Sequence, residues 1–210
     1  MRPTPQILRF RSILPKILSS SDSEAIAKTR HWVEAFIVPL NICPFARREV
    51  ERASIRYQPL AFSSDDEFYD ALLAELNLLQ DDSELETTLL ILPQLDDSFE
   101  AFLNTAGYAE QIIALEGFTG TYQVAHFHPE YIFADSDQSD AANYTNRAPH
   151  ACLHLLREAS LERAIRAHKQ ADQIPADNIK KLRQLGLDKM QQQFLALCEA
   201  PKKHENENTD

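Results

Sequence analysis

The sequence predicts an α/β (or α+β) domain. Its sheet would be small and mainly parallel, with about three strands flanked by helices and a helical C-terminal third. Three observations predict it. "TTLLILP" at 87–93 is an uninterrupted apolar run, the mark of a strand buried on both faces. Around it the pattern alternates strand, helix, strand, helix, strand, and helices this long between strands imply crossovers. Beyond residue 149 the apolar spacing is helical throughout.

Taken in order, "SDSE" at 21–24 reads as a capping box, Ser21 with Glu24. Ile26, Val33, Ile37 and Leu40 then recur near helical spacing, so the first helix is predicted to reach about Val38, before Pro39. In "LNICPFARREVERA", Pro44 suits the first position of a short second helix. "SIRYQPLAF" (54–62) is the first strand. Ser64 caps the next helix against Glu67, with Phe68, Leu72, Leu76 and Leu79 on one face. The 87–93 strand follows, then a helix with Asp97 and Glu100 at its start and Phe99, Leu103, Ala106 and Ile113 inward. "TYQVAHFH" (121–128) is the third strand. Helices are predicted over roughly 149–158, 160–171, 177–185 and 188–198, with Gly186 closing the third of these.

Composition places one domain over residues 21–199. With 44% apolar and 25% charged residues, the 210-residue chain can build a single core. Residues 1–20 form a basic extension with four basic residues and no acid, so a total of −11 leaves −15 on the other 190 residues. If the source is eukaryotic, that extension fits an organelle transit peptide; otherwise it packs on the domain or stays mobile. Residues 200–210 are too polar to pack and are predicted to be a disordered tail. The net negative charge argues against nucleic acid or an anionic membrane as a partner. No run reaches the ~18 apolar residues that a membrane span needs. Three cysteines, at 43, 152 and 198, form no CxxC pair, which favours free thiols, a reducing compartment and a cytoplasmic location.

The segment "HFHPEYIFADSDQSDAANYTNRAPH" (126–150) gathers the chemically able side chains. Tyr122, Val124, His126 and His128 share one strand face, and His128 falls at the strand's carboxyl end, where open parallel sheets tend to bind ligands. On a helix over 149–158, His150, His154 and Glu158 would stand four residues apart on one face, with Cys152 a core thiol on the other side. A strand HxH facing a helical HxxxH permits a divalent metal site, with His128 and His154 as ligands. "DSDQSD" (135–140) lacks the glycine and closing glutamate of a calcium loop and reads as a solvated acidic turn, with Asp140 the best candidate for an inward carboxylate. Thr145 or Asn146 could cap the helix that Pro149 starts, and Arg147 beside that helix end would suit a small anionic molecule. The structural alternative has Arg147 locking the loop by pairing with Asp135, Asp137 or Asp140. Cys43, just before Pro44 and near Arg47 and Arg48, would favour the thiolate at a helix end; the alternative is a small apolar residue in a turn.

With those residues in view, the chain resembles a bacterial and plant family known as the domain of unknown function 1415 family. The resemblance rests on "NICPFA", on "QVAHFHPEYIFADSDQSDAANYTNRAPHACLHLLREAS" and more weakly on "DNIKKLRQLG", and covers about residues 24–198. It implies no particular activity, cofactor or substrate. The features that match its pattern are Cys43 and Pro44, His128 and Pro129, Asn143, Asn146 and Arg147, then His154, Arg157 and Glu158; His126 and His150 fall outside it.

Two classes of function follow. In one, the protein is an enzyme acting on a small anionic substrate: Asn143, Asn146 and Arg147 hold the anion, His128 or His154 moves protons, Glu158 orients His154, and Cys43 is nucleophile or metal ligand. In the other, it is a non-catalytic binding or scaffold domain, whose amides and arginine satisfy buried backbone groups. A His/Cys metal-binding protein is a variant of the first.

Overall fold

The computed structural model describes residues 18–167 and 170–199. Most of the basic extension and the C-terminal tail, the subjects of two of the expectations above, lie outside these residues. Within them the chain is a mixed α/β structure, as predicted. Helix α1 spans Ser20–Trp32 and runs on through a π-helical turn, Val33–Ile37. The capping box is present but two residues earlier than expected: Ser19 accepts from the Asp22 N–H, and Asp22 accepts from the Ser19 N–H. Helix α2 (Ala46–Glu51) begins two residues after Pro44, with Phe45 at its N-cap. Strand β1 is Ile55–Pro59. Ser64 caps helix α3 (Asp65–Asp81) by accepting from the Glu67 N–H. Strand β2, Thr87–Ile91, is buried along its whole length.

Helix α4, Phe99–Leu115, is capped by Ser98. Its buried face carries Phe102, Ala106, Ala109, Ile112 and Ile113, while Leu103, expected inward, is 41% exposed. Strand β3 is Tyr122–Phe127. The C-terminal helices are α5 (Glu158–Ala167), α6 (Ile174–Leu185) and α7 (Leu187–Cys198), with Gly186 at φ +88° between the last two, a conformation that suits glycine. No helix among the described residues is long and apolar enough to cross a membrane.

The main departure is at 149–158. In place of a helix, Cys152–Arg157 is a fourth strand, β4. The sheet order is β1-β2-β4-β3, with β1 and β2 parallel and β4 antiparallel to both of its neighbours. The three expected strands therefore do run in the same direction, but β4 is inserted between β2 and β3 and makes two of the three pairings antiparallel. A short segment with only four apolar residues in six does not distinguish a buried central strand from a buried helical segment by itself. Here the open edges of β2 and β3 decide it, because β4 satisfies backbone groups on both sides.

Alternation along the sheet divides the core in two. One face carries Leu90, Leu153, Leu155 and Tyr122 against Phe68, Leu72, Leu76 and Leu79 of α3 and Phe102 and Ile112 of α4. The other carries Leu89, Ile91 and Cys152 against Trp32 and Phe36, with Leu182 of α6 and Met190 and Leu197 of α7. Helices thus cover both faces, and β2 and β4 lie in the middle of a three-layer structure. Cys152 is fully buried, as a core thiol, though on a strand and not a helix.

Candidate functional site

His128 follows the last residue of β3 and is fully buried. Its Nδ1 accepts from the Glu130 N–H at 3.0 Å, and its Nε2 lies 2.9 Å from the Leu95 carbonyl oxygen. These partners assign the neutral ring with its proton on Nε2, and they occupy both nitrogens. The rings of Phe99 and Phe102 pack at 5.1 and 5.2 Å from its centroid. His126 is on the same face, as predicted, stacked on Tyr131 at 5.7 Å.

The amides of the loop are engaged in the same way. Asn143 is fully buried; its Oδ1 accepts from the Phe133 N–H and the Ser136 hydroxyl, and its Nδ2 donates to the Asp137 carbonyl. Asn146 prolongs the edge of β3: its carbonyl accepts from the His128 N–H at 3.1 Å, and its Nδ2 donates to the His126 carbonyl at 3.2 Å. Arg147, 9% exposed, donates from Nε to the Tyr131 carbonyl and from Nη2 to the Gln138 carbonyl. Its guanidinium lies 4.6 Å from the centre of the Tyr144 ring. The loop is locked by its arginine, but through carbonyls and not through Asp135, Asp137 or Asp140. There is no helix behind Pro149 whose end Arg147 could flank; Asn146 instead ends the 3₁₀ turn Ala141–Thr145.

The acids of the loop serve local turns. Asp137 accepts from the Ser139 N–H and hydroxyl. Asp140 caps the 3₁₀ turn through the Ala142 N–H and pairs with Arg183 of α6 at 2.6 Å, which holds its carboxyl below the usual range. Arg183 also lines an open groove of about 520 Å³ along one side of α6, formed by Ala176, Ile179, Lys180, Arg183 and Gln184 and remote from the histidines in the sequence.

His154 is elsewhere. In the β3–β4 ladder it pairs with Ala125, two residues from the Cys152–Phe127 pair, so it leaves the sheet on the face of Cys152, Leu89 and Trp32. His126 and His128 leave on the face of Phe102. The sheet separates the two expected metal ligands, which corrects the HxH/HxxxH site. Among the described residues no three His, Cys, Asp or Glu side chains are arranged to hold a metal ion. Burial pulls His154 down to about 4, and its Nε2 is buried without a hydrogen-bond partner. Glu158 is not one helical turn from His154: it opens α5, its N–H bonded to the Thr121 carbonyl. Arg157 turns back to the C-terminal end of α3 and the loop after it, donating to the carbonyls of Leu79, Asp82 and Leu85.

Cys43 packs against the core cluster on the His154 face, so it is not brought to His128. Burial pushes its thiol up, against the opposing bonds from the Phe45 and Ala46 N–H groups. The expected thiolate is corrected accordingly, because desolvation outweighs the short helix end.

A different pair is brought together. The Asp96 carboxylate, after the 3₁₀ turn Pro93–Leu95, accepts from His150 Nδ1 at 2.7 Å and from the Ala151 N–H at 2.7 Å. His150 Nε2 is buried and has no hydrogen-bond partner. The pair sits at the carboxyl end of β2, where Leu92 and Ala151 are hydrogen-bonded. Two further groups interact electrostatically with it, Glu24 with His150 and Cys198 with Asp96. Lys28 pairs with Glu24 on α1 at 2.7 Å, and the Lys28 bond and charge, then His150, lower the Glu24 carboxyl. Burial pushes up the Cys198 thiol at the end of α7, with Lys28 opposing and Asp96 reinforcing. Ala25 and Leu197, adjacent in the chain to Glu24 and Cys198, share one core cluster with Cys152, two residues after His150. Asp96 was hidden in the sequence by the acidic start of α4, and His150 by a helical spacing it does not obey. Nothing local marks a contact across 54 residues.

A family model described as "Protein of unknown function (DUF1415)" matches residues 24–192, which takes in every residue of this site except Cys198. No curated protein and no solved structure matches the chain.

Proposed function

Since the chain belongs to the DUF1415 family, whose description assigns no chemistry, we propose from the geometry that it is an enzyme whose proton-transfer group is His150, held by Asp96. One observation carries this reading. His150 Nδ1 is fixed on Asp96 at 2.7 Å while Nε2 has no hydrogen-bond partner. An Nδ1–H donated to a carboxylate leaves the lone pair on Nε2, so the ring is a base of defined orientation. The carboxylate is itself held by the Ala151 N–H, so it cannot swing away with the ring. Glu24 and Asp96 favour a neutral or cationic substrate over the anion suggested by Arg147, whose donors face carbonyls.

The test is a thermal-shift screen of small metabolites against the wild type and His150→Gln. A compound that stabilises the wild type by several degrees and the variant by none supports the reading. If every compound that binds shifts both proteins equally, His150 is not at the site.

A second reading, a non-catalytic binding or scaffold domain, is favoured by a separate observation. His128, Asn143, Asn146 and Arg147 all spend their polar atoms on groups of the same loop or of its neighbours. In that reading the loop is a rigid surface, and these residues act on stability alone.

A further inference from the structure

The sheet ends in two edges, β1 and β3, and they are not alike. The β1 edge is blunted. It ends in Pro59, which has no N–H and whose carbonyl accepts from Gln58 Nε2, and the strand carries Arg56, paired with Glu75. Strand β3 holds no proline and no charged residue, and among the described residues no strand lies beyond it. Its backbone directions follow from its partners. Asn146 Nδ2 reaches the His126 carbonyl and the Tyr122 N–H meets the Phe118 carbonyl, so the even-numbered residues turn outward. The Thr121 carbonyl, bonded to the Glu158 N–H, shows the odd-numbered ones facing β4. What stays open at the edge is the Tyr122 carbonyl, both backbone groups of Val124 and the His126 N–H.

That set is its own complement about a two-fold axis at Val124. We propose that β3 is a dimerisation edge, and that its partner is a second copy of this chain, paired antiparallel about Val124 so that the two sheets become one. Each Val124 N–H then donates to the other copy's Val124 carbonyl, and each His126 N–H to the other's Tyr122 carbonyl. The groups this leaves over, the Tyr122 N–H and the His126 carbonyl, are the ones already bonded within the chain. Side chains agree with the pairing. Val124 faces Val124, a favourable β-branched pair, and the strand opposes no like charges. Helix α4 agrees as well. Phe99 on one flank packs on His128 and Tyr131, past the end of β3, while Tyr108 on the other packs on Phe68 of α3. One turn from Phe99 on that outer flank stands Leu103, 41% exposed. A turn further is Gly107, where a Cβ would meet nothing within 4 Å. Pairing about Val124 sets two such flanks side by side and covers both leucines, and the missing side chain at Gly107 lets the helices approach.

Sedimentation equilibrium of the full chain tests this. A dimer is expected by about 100 µM, within the range that interfaces of ordinary size reach. Val124→Pro removes an outward N–H and no bond within the chain, and proline is tolerated at such an edge. Gln123→Lys alters an exposed side chain beside the axis and supplies the charge that blunts natural edges. Each substitution is expected to raise the dissociation constant of the dimer by at least about tenfold, with an unchanged circular dichroism spectrum. A chain that stays monomeric at about 100 µM overturns the proposal, as does a dimer that neither substitution weakens. Amide hydrogen exchange then identifies the occupant: the Val124 and His126 N–H groups should be protected in the dimer and exchange faster on dilution. Protection that dilution does not change assigns the edge to a segment of the same chain, and the second copy falls.

Discussion

His128 Nε2 donates to the carbonyl of Leu95 across 33 residues of chain, and this bond joins the end of β3 to the turn that carries Asp96. The ring is fully buried, and its other nitrogen is taken by the Glu130 N–H. His128→Ala would leave a carbonyl and an N–H unpaired and open a cavity between Phe99 and Phe102. The expected loss is about 3 kcal/mol, from the range for buried large-to-small changes and unpaired groups. Urea unfolding measures it; a loss below about 0.5 kcal/mol would mean that the clamp is not structural.

Arg147 permits a sharper contrast, since its two expected roles make opposite forecasts. As an anion holder it would leave the ligand-free protein's stability untouched when changed to lysine. As a loop fastener it would not, because lysine has neither the fork that reaches Tyr131 and Gln138 nor the flat face over Tyr144. Arg147→Lys is expected to lower stability by about 1–2 kcal/mol without any ligand present. An unchanged urea midpoint sinks the fastener role.

What was legible in the sequence was whatever depended on neighbours in the chain. Ser64 with Glu67, the five buried residues of β2 and the turn at Gly186 were all read from local pattern. What escaped depended on pairings between distant segments. "ACLHLLRE" spaces His150, His154 and Glu158 as a helix would, and only the free edges of β2 and β3 make it a strand. That one change moves His154 to the other face of the sheet from His128 and frees His150 to meet Asp96. The expected site thus joined residues that the sheet keeps apart.

His154 ties stability to pH. Burial pulls its folded-state value down to about 4, below the roughly 6.5 of an unfolded histidine. The folded state then binds fewer protons than the unfolded one, so this contribution is complete above about pH 6.5 and is lost as pH falls towards about 4. The whole displacement corresponds to at most about 3 kcal/mol, less where part of the ring meets solvent. Urea unfolding at about pH 7.5 and about pH 5 should show a loss of roughly 1–2 kcal/mol in the wild type. His154→Leu, which has nothing to protonate, should lack that part of the slope. An identical pH dependence in the two proteins would show that His154 is not the group responsible.

Arg157 and Glu158 stand side by side in the sequence and should respond oppositely. Arg157 Nη2 serves the carbonyls of Leu79 and Asp82 at the end of α3 and of Leu85 in the loop after it, and its guanidinium lies 5.9 Å from the centre of the Tyr122 ring. A cation at a helix C-terminus also meets the negative end of the dipole. Arg157→Ala is expected to cost about 2–3 kcal/mol, because several carbonyls lose a charged donor at once. Glu158 opens α5 and is placed by its backbone N–H, which the side chain does not govern. Glu158→Gln should therefore change stability by less than about 0.5 kcal/mol. A loss above about 1 kcal/mol in the urea unfolding of Glu158→Gln would show that its side chain, and not its backbone alone, holds the start of α5.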